Sequence, residues 1–148
     1  MLLSLLKAKE EIERRNEMRI MLDTNILISA IIFKSEKMNK FIYKISTEHQ
    51  IIICSYIIEE LRELVNNKFK VDIKILERFF EEFPFELVHS PKFVENKLFE
   101  IRDEDDYIIL HTAIIEDVDI FITGDKDFDN INIERPEIMT VNEFLSKY

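Results

Sequence analysis

The sequence predicts an α/β fold: alternating strands and helices around a central, mainly parallel sheet with helices on both faces. Three observations predict it. Short β-branched runs such as Gln50-Ile51-Ile52-Ile53-Cys54 have the continuous hydrophobicity of strands covered on both sides. Between these runs lie longer stretches with apolar residues at helical spacing, as in Met38, Phe41, Ile42 and Ile45. Two strand candidates also lead into acids at their carboxyl ends, at Asp125 and above all in Met21-Leu22-Asp23-Thr24-Asn25. In open parallel sheets the carboxyl ends of the strands are where ligands bind, so Asp23 is the first candidate for chemistry.

Composition narrows the class. With 148 residues, 47% of them hydrophobic, the chain has the size of one ordinary domain and can bury a real core. No run approaches the roughly 18 apolar residues of a membrane helix. Leu2, Leu3, Leu5 and Leu6 run directly into charges, too short a block for a signal peptide. The single cysteine, Cys54, excludes an internal disulfide framework and a multi-cysteine zinc site. The expectation is a soluble, cytoplasmic protein with no membrane association. A net charge of −10 argues against a generic nucleic-acid binder. An enzyme that meets nucleic acid through metal ions stays open, because cations neutralise clustered carboxylates.

In chain order, residues 1–17 read as a charged N-terminal helical extension with an apolar tip. Glu10 with Arg14 and Glu11 with Arg15 stand four apart, acid first, the favourable order on a helix. The segment is either an oligomer contact or a packed extension of a domain spanning 18–148. Strand residues 18–22 lead through the Asp-Thr-Asn tip into a helix carried by Ile26, Leu27, Ala30 and Ile31, and the Met38 stripe follows. Lys37, Lys40 and Lys44 flank that stripe, as an RNA contact or as its solvated edge. After the second strand, Ser55 is placed to cap a helix with Ile57, Ile58, Leu61, Leu64 and Val65 on one face. Glu60 falls at the border of that stripe and Glu59 points away, so Glu60 can lean toward the sheet edge.

Asp72 caps the next helix, with Leu76, Phe79, Phe80 and Phe83 on its core face, and Pro84 closes it. A short strand, Phe85 to Val88, precedes a loop. In the segment from Arg102 to Ala113, acids crowd a helix's first turn, where the helix dipole favours them. Asp106 is different, since Ile109, Leu110 and Ala113 share its face; a carboxylate heading a core stripe is costly unless something cationic compensates it. Residues 118–123 form another strand, followed by Gly124-Asp125-Lys126-Asp127-Phe128. The chain's only glycine marks the tip where an unusual backbone angle or a close approach is expected. Ile138 to Thr140 is a last strand, and Thr140 with Glu143 fits a capping box for the final helix.

This order puts Asp23 and Asp125 at the sheet's carboxyl edge and has helices bring Glu60 and Asp106 there. Four acids without a basic partner in their motifs suit a hard divalent cation. Ordinary structural roles compete: Asp23 can cap its helix, Asp103 and Asp105 serve as caps or dipole partners, and Glu60 alone is a helix-flank glutamate. His49, His89 and His111 lack metal-ligand spacing.

Leu22-Asp23-Thr24-Asn25, Ser55 to Glu60-Leu61, Asp103 to Asp106 with Leu110 and Ala113, and Ile122-Thr123-Gly124-Asp125-Lys126-Asp127-Phe128 together resemble the successive motifs of the PIN-domain ribonucleases. The resemblance runs over about 18–148, and the Thr-Gly-Asp variant is most similar to the toxins of prokaryotic toxin–antitoxin pairs. It implies an α/β/α sandwich, an endoribonuclease dependent on Mg²⁺ or Mn²⁺, frequent homodimers or higher homo-oligomers, and an antitoxin protein as partner. It maps the family's four acids onto Asp23, Glu60, Asp106 and Asp125, with Asp127 an accessory acid and Asn25 and Thr123 in supporting polar positions. The extension before Met18 departs from the family's usual short start.

With such a set, RNA phosphodiester hydrolysis by metal-activated water is the expected reaction. One metal or two, and Glu60 as ligand or as base, are both compatible with it. A haloacid-dehalogenase-like phosphatase using Asp23 is a rival reading, weakened because that chemistry usually wants a second acid where Asn25 stands. A catalytically silent binding subunit is the other, and four retained, mutually repelling carboxylates speak against it.

Overall fold

In the computed structural model the β-branched runs become β1 (Arg19–Leu22), β2 (Gln50–Cys54), β3 (Glu86–Val88), β4 (Ile120–Ile122) and β5 (Glu137–Met139). They form one sheet of order β3-β2-β1-β4-β5, in which every neighbouring pair is parallel. The structure describes the backbone of residues 1–148 and the side chains of all but residues 13–15. The Glu10–Arg14 and Glu11–Arg15 pairs therefore lie outside the described residues.

The helices are α1 (Leu2–Asn16), α2 (Thr24–Ile28), α3 (Glu36–Glu48), α4 (Ser55–Glu63), α5 (Lys74–Glu82), α6 (Glu104–Ile115) and α7 (Val141–Lys147). Parallel neighbours require crossover connections, which these helices supply except between β4 and β5, joined through the 3₁₀ turn Lys126–Phe128; the result is a three-layer α/β/α sandwich. The central strands are the most apolar: Ile20, Met21, Leu22, Ile120, Phe121 and Ile122 are buried, with Ile51 to Cys54 beside them. Helix faces close over both sides through Leu27, Ile31, Phe41, Ile45, Ile57, Leu61, Leu110, Ala113 and Phe144. No helix among the described residues is long and apolar enough to cross a membrane.

β1 is paired with β2 at Ile20–Ile51 and with β4 at Ile20–Ile120. The chain winds outward from β1 through β2 to β3, then returns to the other side of β1 for β4 and β5. That reversal makes a switch point between the carboxyl ends of β1 and β4, the place where such sheets open a crevice.

Several local expectations change. Ser55 is the first residue of α4 and does not cap it; the cap position is Cys54, and the Ser55 Oγ accepts the Ser90 N–H at 3.0 Å. Gly124 has no positive φ, and a Cβ there would meet nothing within 4 Å. Neither a special angle nor a close approach explains it. Asp72 Oδ1 accepts the Lys74 N–H at 3.0 Å, although the formal cap of α5 is Ile73. Thr140 does cap α7, accepting the Glu143 N–H at 3.1 Å. Both α2 and α4 continue into single π-helical turns, Ser29–Phe33 and Leu64–Lys68.

Candidate functional site

Asp23 is the residue after β1, in extended conformation, and the N-cap of α2. Its backbone N–H is held by the Ile122 carbonyl at 2.9 Å, which ties it to β4 across the switch point. Its side chain is buried, and both oxygens are oriented. Oδ1 accepts the Thr24 N–H at 2.8 Å, and Oδ2 accepts the Thr123 hydroxyl at 2.6 Å. The capping role and a role in the site are thus the same geometry. Burial pushes the Asp23 carboxyl above its ordinary range, partly offset by those two donors and reinforced by the charge of Asp125.

Thr123 connects the two strand ends. While its hydroxyl donates to Asp23, the same oxygen accepts the Asp125 N–H at 3.1 Å. Asp125 then caps the short 3₁₀ turn Lys126–Phe128, its Oδ1 accepting the Asp127 N–H at 2.9 Å. The two acids of that loop therefore lie on one tight turn. Phe128 closes the turn onto the core, with its ring edge-on to Phe121 at 5.0 Å.

Asp106 reaches the same point from the first turn of α6. Its stripe partners Ile109, Leu110 and Ala113 are buried, as its face predicts, and Asp106 is half-buried at their head. Carboxylate oxygens of Asp106, Asp125 and Asp127 all lie within 4.8 Å of one another. Burial first, then the charges of Asp125, Asp103, Asp23 and Asp127, push the Asp106 carboxyl up to about 7. An all-oxygen set of this kind, converging and mutually repelling, fits Mg²⁺ or Mn²⁺ by donor chemistry.

Glu60 enters from α4. It is half-buried while Glu59 is exposed, as the helical phase predicts. The Thr24 hydroxyl donates to Glu60 Oε2 at 2.6 Å, so the residue after Asp23 orients it. Burial raises its carboxyl from the ordinary value; Thr24 opposes this, and Asp23, Asp105 and Asp103 add to it. Glu60 and Asp23 are outside the 4.8 Å cluster: Thr123 links Asp23 to Asp125, and Thr24 links Glu60 to Asp23.

Asn25 is exposed in the first turn of α2, and its carbonyl accepts the Ser29 hydroxyl at 3.0 Å. Of the three lysines on α3, Lys40 pairs with Glu36 at 3.4 Å; Lys44 donates to the Tyr148 carbonyl at 2.8 Å and lies 3.9 Å from Glu48; Lys37 is exposed. His49 accepts the Met18 N–H at Nδ1, at 3.1 Å, and His111 contacts the Tyr107 hydroxyl at 3.3 Å.

Sequence reasoning missed three participants. Arg102 donates to Asp127 Oδ2 at 2.7 Å, so the acids do have one basic neighbour, and Asp127 is shared between it and the cluster. Thr24 is a second, its hydroxyl signal hidden between Asp23 and Asn25. The third is Tyr56, beside Glu60 and Asp105, whose proton is held more tightly because burial and the surrounding acids raise its pKa.

The PIN domain family profile matches residues 19–127. No curated protein matches the sequence. Among solved structures, the chain is similar to one in the crystal structure of VapBC2 from Rickettsia felis bound to a DNA fragment from their promoter. The TM-score is 0.62 with 19% identity over 82% of this chain and 97% of that one, a likeness of fold.

Proposed function

The chain belongs to the PIN-domain family, and from that premise we propose that it is a divalent-metal-dependent endoribonuclease. The observation that carries the reading is the convergence of Asp106, Asp125 and Asp127 within 4.8 Å, beside buried Asp23, at the switch point of a parallel sheet. Asp106, Asp125 and Asp127 would hold the cation, with Asp23 completing the set. A bound Mg²⁺ or Mn²⁺ supplies water of lowered pKa and neutralises phosphate charge.

The chain's own groups do the rest. Thr123 and the Thr24 N–H fix the two oxygens of Asp23, so no rotamer search precedes binding of the cation. Thr24 fixes Glu60, which either joins the ligand set or takes a proton from water as a base. Its raised affinity for a proton suits the second role. Arg102, paired with Asp127, offers the one cation of this edge among the contacts described, placed to meet a phosphate oxygen. Asn25 is exposed on the α2 turn, where it can meet the strand being cut.

We also propose that the enzyme is the toxin of a toxin–antitoxin pair, cytoplasmic, and a homo-oligomer. The fold shared with a VapBC2 structure supports a protein partner. α1 carries Leu2, Leu3, Leu5 and Leu6 exposed, at 72, 65, 63 and 49%, which supports an oligomer or partner contact for the 1–17 extension.

The test is cleavage of a mixed RNA pool with Mn²⁺ or Mg²⁺, with Asp23→Asn and Asp106→Asn variants and an EDTA control. The expected result is metal-dependent cutting that both substitutions reduce by on the order of 10²–10⁴-fold, with circular dichroism unchanged. Cutting that survives both would sink the reading. A phosphoryl-aspartate trapped at Asp23 would replace it with the phosphatase.

A further inference from the structure

Next to Glu60 the surface opens into a cavity of about 390 Å³ lined by Tyr56, Glu60, Glu63, Asn67, Lys68 and Asp105, among others. Tyr56, Glu60, Glu63 and Asn67 stand at i, i+4, i+7 and i+11, so they form one stripe along α4 and its π-helical continuation. The opposite stripe, Ile57, Leu61 and Val65, is buried. At about 1.5 Å per residue the lining stripe runs roughly 16 Å from the acids outward, long enough for more than one nucleotide. The π-turn matters here: single π-turns recur at functional sites, and this one places Asn67 and Lys68 at the far end of the cavity.

The chemistry of the wall changes along its length. Tyr56, at the end next to Glu60 and Asp105, is half-buried and packs against the core. An aromatic ring packed along one side presents its free surface at little cost in rotamer freedom. Glu63 follows, an acceptor only when ionised, and then Asn67, which both donates and accepts. Lys68 at the distal end is the cavity's only cation. A phosphate is repelled from the glutamates and welcome at Lys68; a base is welcome at Tyr56.

We propose that this cavity is the subsite for the base flanking the scissile phosphate and that it selects guanine. The base would stack on Tyr56, its adjacent N1–H and N2–H donors would face the two oxygens of the Glu63 carboxylate, and Lys68 would take the next phosphate. Uracil presents one N–H between two carbonyl oxygens, so the same carboxylate opposes it. This inference rests on the ribonuclease reading for what it calls the scissile phosphate.

The experiment has two arms. In the first, cleavage sites are mapped on an RNA pool of random sequence for wild type, Tyr56→Phe, Tyr56→Ala and Glu63→Gln. Wild type and Tyr56→Phe are expected to enrich guanine and deplete uracil at the flanking position. Tyr56→Ala and Glu63→Gln are expected to flatten that preference with circular dichroism unchanged, and with melting unchanged for exposed Glu63→Gln and modestly lowered for Tyr56→Ala, which loses core packing. In the second arm, fluorescein-labelled UUGUU and UUUUU pentamers bind Asp23→Asn protein in Mn²⁺. The guanine pentamer should bind on the order of tenfold tighter, and adding Tyr56→Ala should remove at least about fivefold of affinity, as loss of one stacked base does. Cleavage abolished by Asp23→Asn but with a flanking preference indifferent to Tyr56 and Glu63 would overturn the subsite alone. Tyr56-dependent guanine binding by a protein that cuts no RNA would keep the subsite and discard the nuclease.

Discussion

The two edges of the sheet carry similar charges to opposite ends. At the amino edge, Arg19 at the start of β1 donates to Glu86 Oε2 at 2.7 Å and to the Glu116 carbonyl from Nε at 3.2 Å and Nη2 at 3.0 Å. Its backbone N–H meets Asp119 Oδ2 at 2.8 Å, and Arg135 pairs with the other oxygen of Asp119. Gln50 supports Glu86 from β2 at 3.1 Å. The carboxylates of Glu86 and Asp119 both have donors, and each is matched by an arginine. At the carboxyl edge, Asp23, Glu60, Asp106, Asp125 and Asp127 gather with Arg102 their one ion-pair partner among the described contacts, and Asp106 is pushed up to about 7. Equal chemistry, matched by counter-charges, staples a fold; left short of them and pre-oriented, it suits the cation proposed above.

The largest expected effect breaks the carboxyl edge. Saturating Mn²⁺, at a hundred times its dissociation constant, should stabilise wild type by about 2.7 kcal/mol, or roughly 5–10 °C for a chain of this size. Asp125→Asn should abolish that rise, measured by differential scanning fluorimetry, whereas Asp119→Asn at the amino edge should keep it. A rise that survives Asp125→Asn would mean that the cation binds elsewhere.

Next in size, Arg19→Met should lower stability by about 1–2 kcal/mol, because it strips donors from a half-exposed Glu86 and from the Glu116 carbonyl. Urea unfolding would read this as a lower midpoint with an unchanged slope. The Mn²⁺ response should be intact; a lost response would mean that the two edges are coupled.

A smaller effect concerns pH. Asp106 has a folded-state pKa raised from 3.8 to about 7, so between those values the folded chain holds the extra proton. Stability from this group is full below the lower value and is lost as pH rises through the upper one. In EDTA the melting temperature of wild type should therefore fall between pH 4 and pH 7.5 more steeply than that of Asp106→Asn. Parallel profiles would remove Asp106 as the source.

The smallest effect sharpens the contrast. Arg102 is the internal competitor for Asp127, so Arg102→Gln should tighten Mn²⁺ binding slightly in titration calorimetry, most visibly at low salt. Weaker binding would instead make Arg102 an organiser of the site.

Much of the carboxyl edge is legible in the order of residues along the chain. Asp23 and Asp125 follow buried strand runs, and the helical period separates Glu60 from Glu59 and puts Asp106 at the head of Ile109, Leu110 and Ala113. These are properties of residues within one or two turns of each other, where side-chain direction follows directly from backbone period. The Ser55 cap fails for a related reason: a hydroxyl near a helix start has local partners, but Ser90, from 35 residues away, claims it.

The sequence by itself therefore determined the alternation of strands and helices, the apolar faces, and which acids stand at strand ends. Only the tertiary structure decided the order β3-β2-β1-β4-β5, and with it the bonds Thr123 to Asp23 across 100 residues, Thr24 to Glu60 across 36 and Arg102 to Asp127 across 25. Local preference is set by neighbours along the chain. A contact between distant residues exists only once the strands between them have chosen their places in the sheet and their loops have closed.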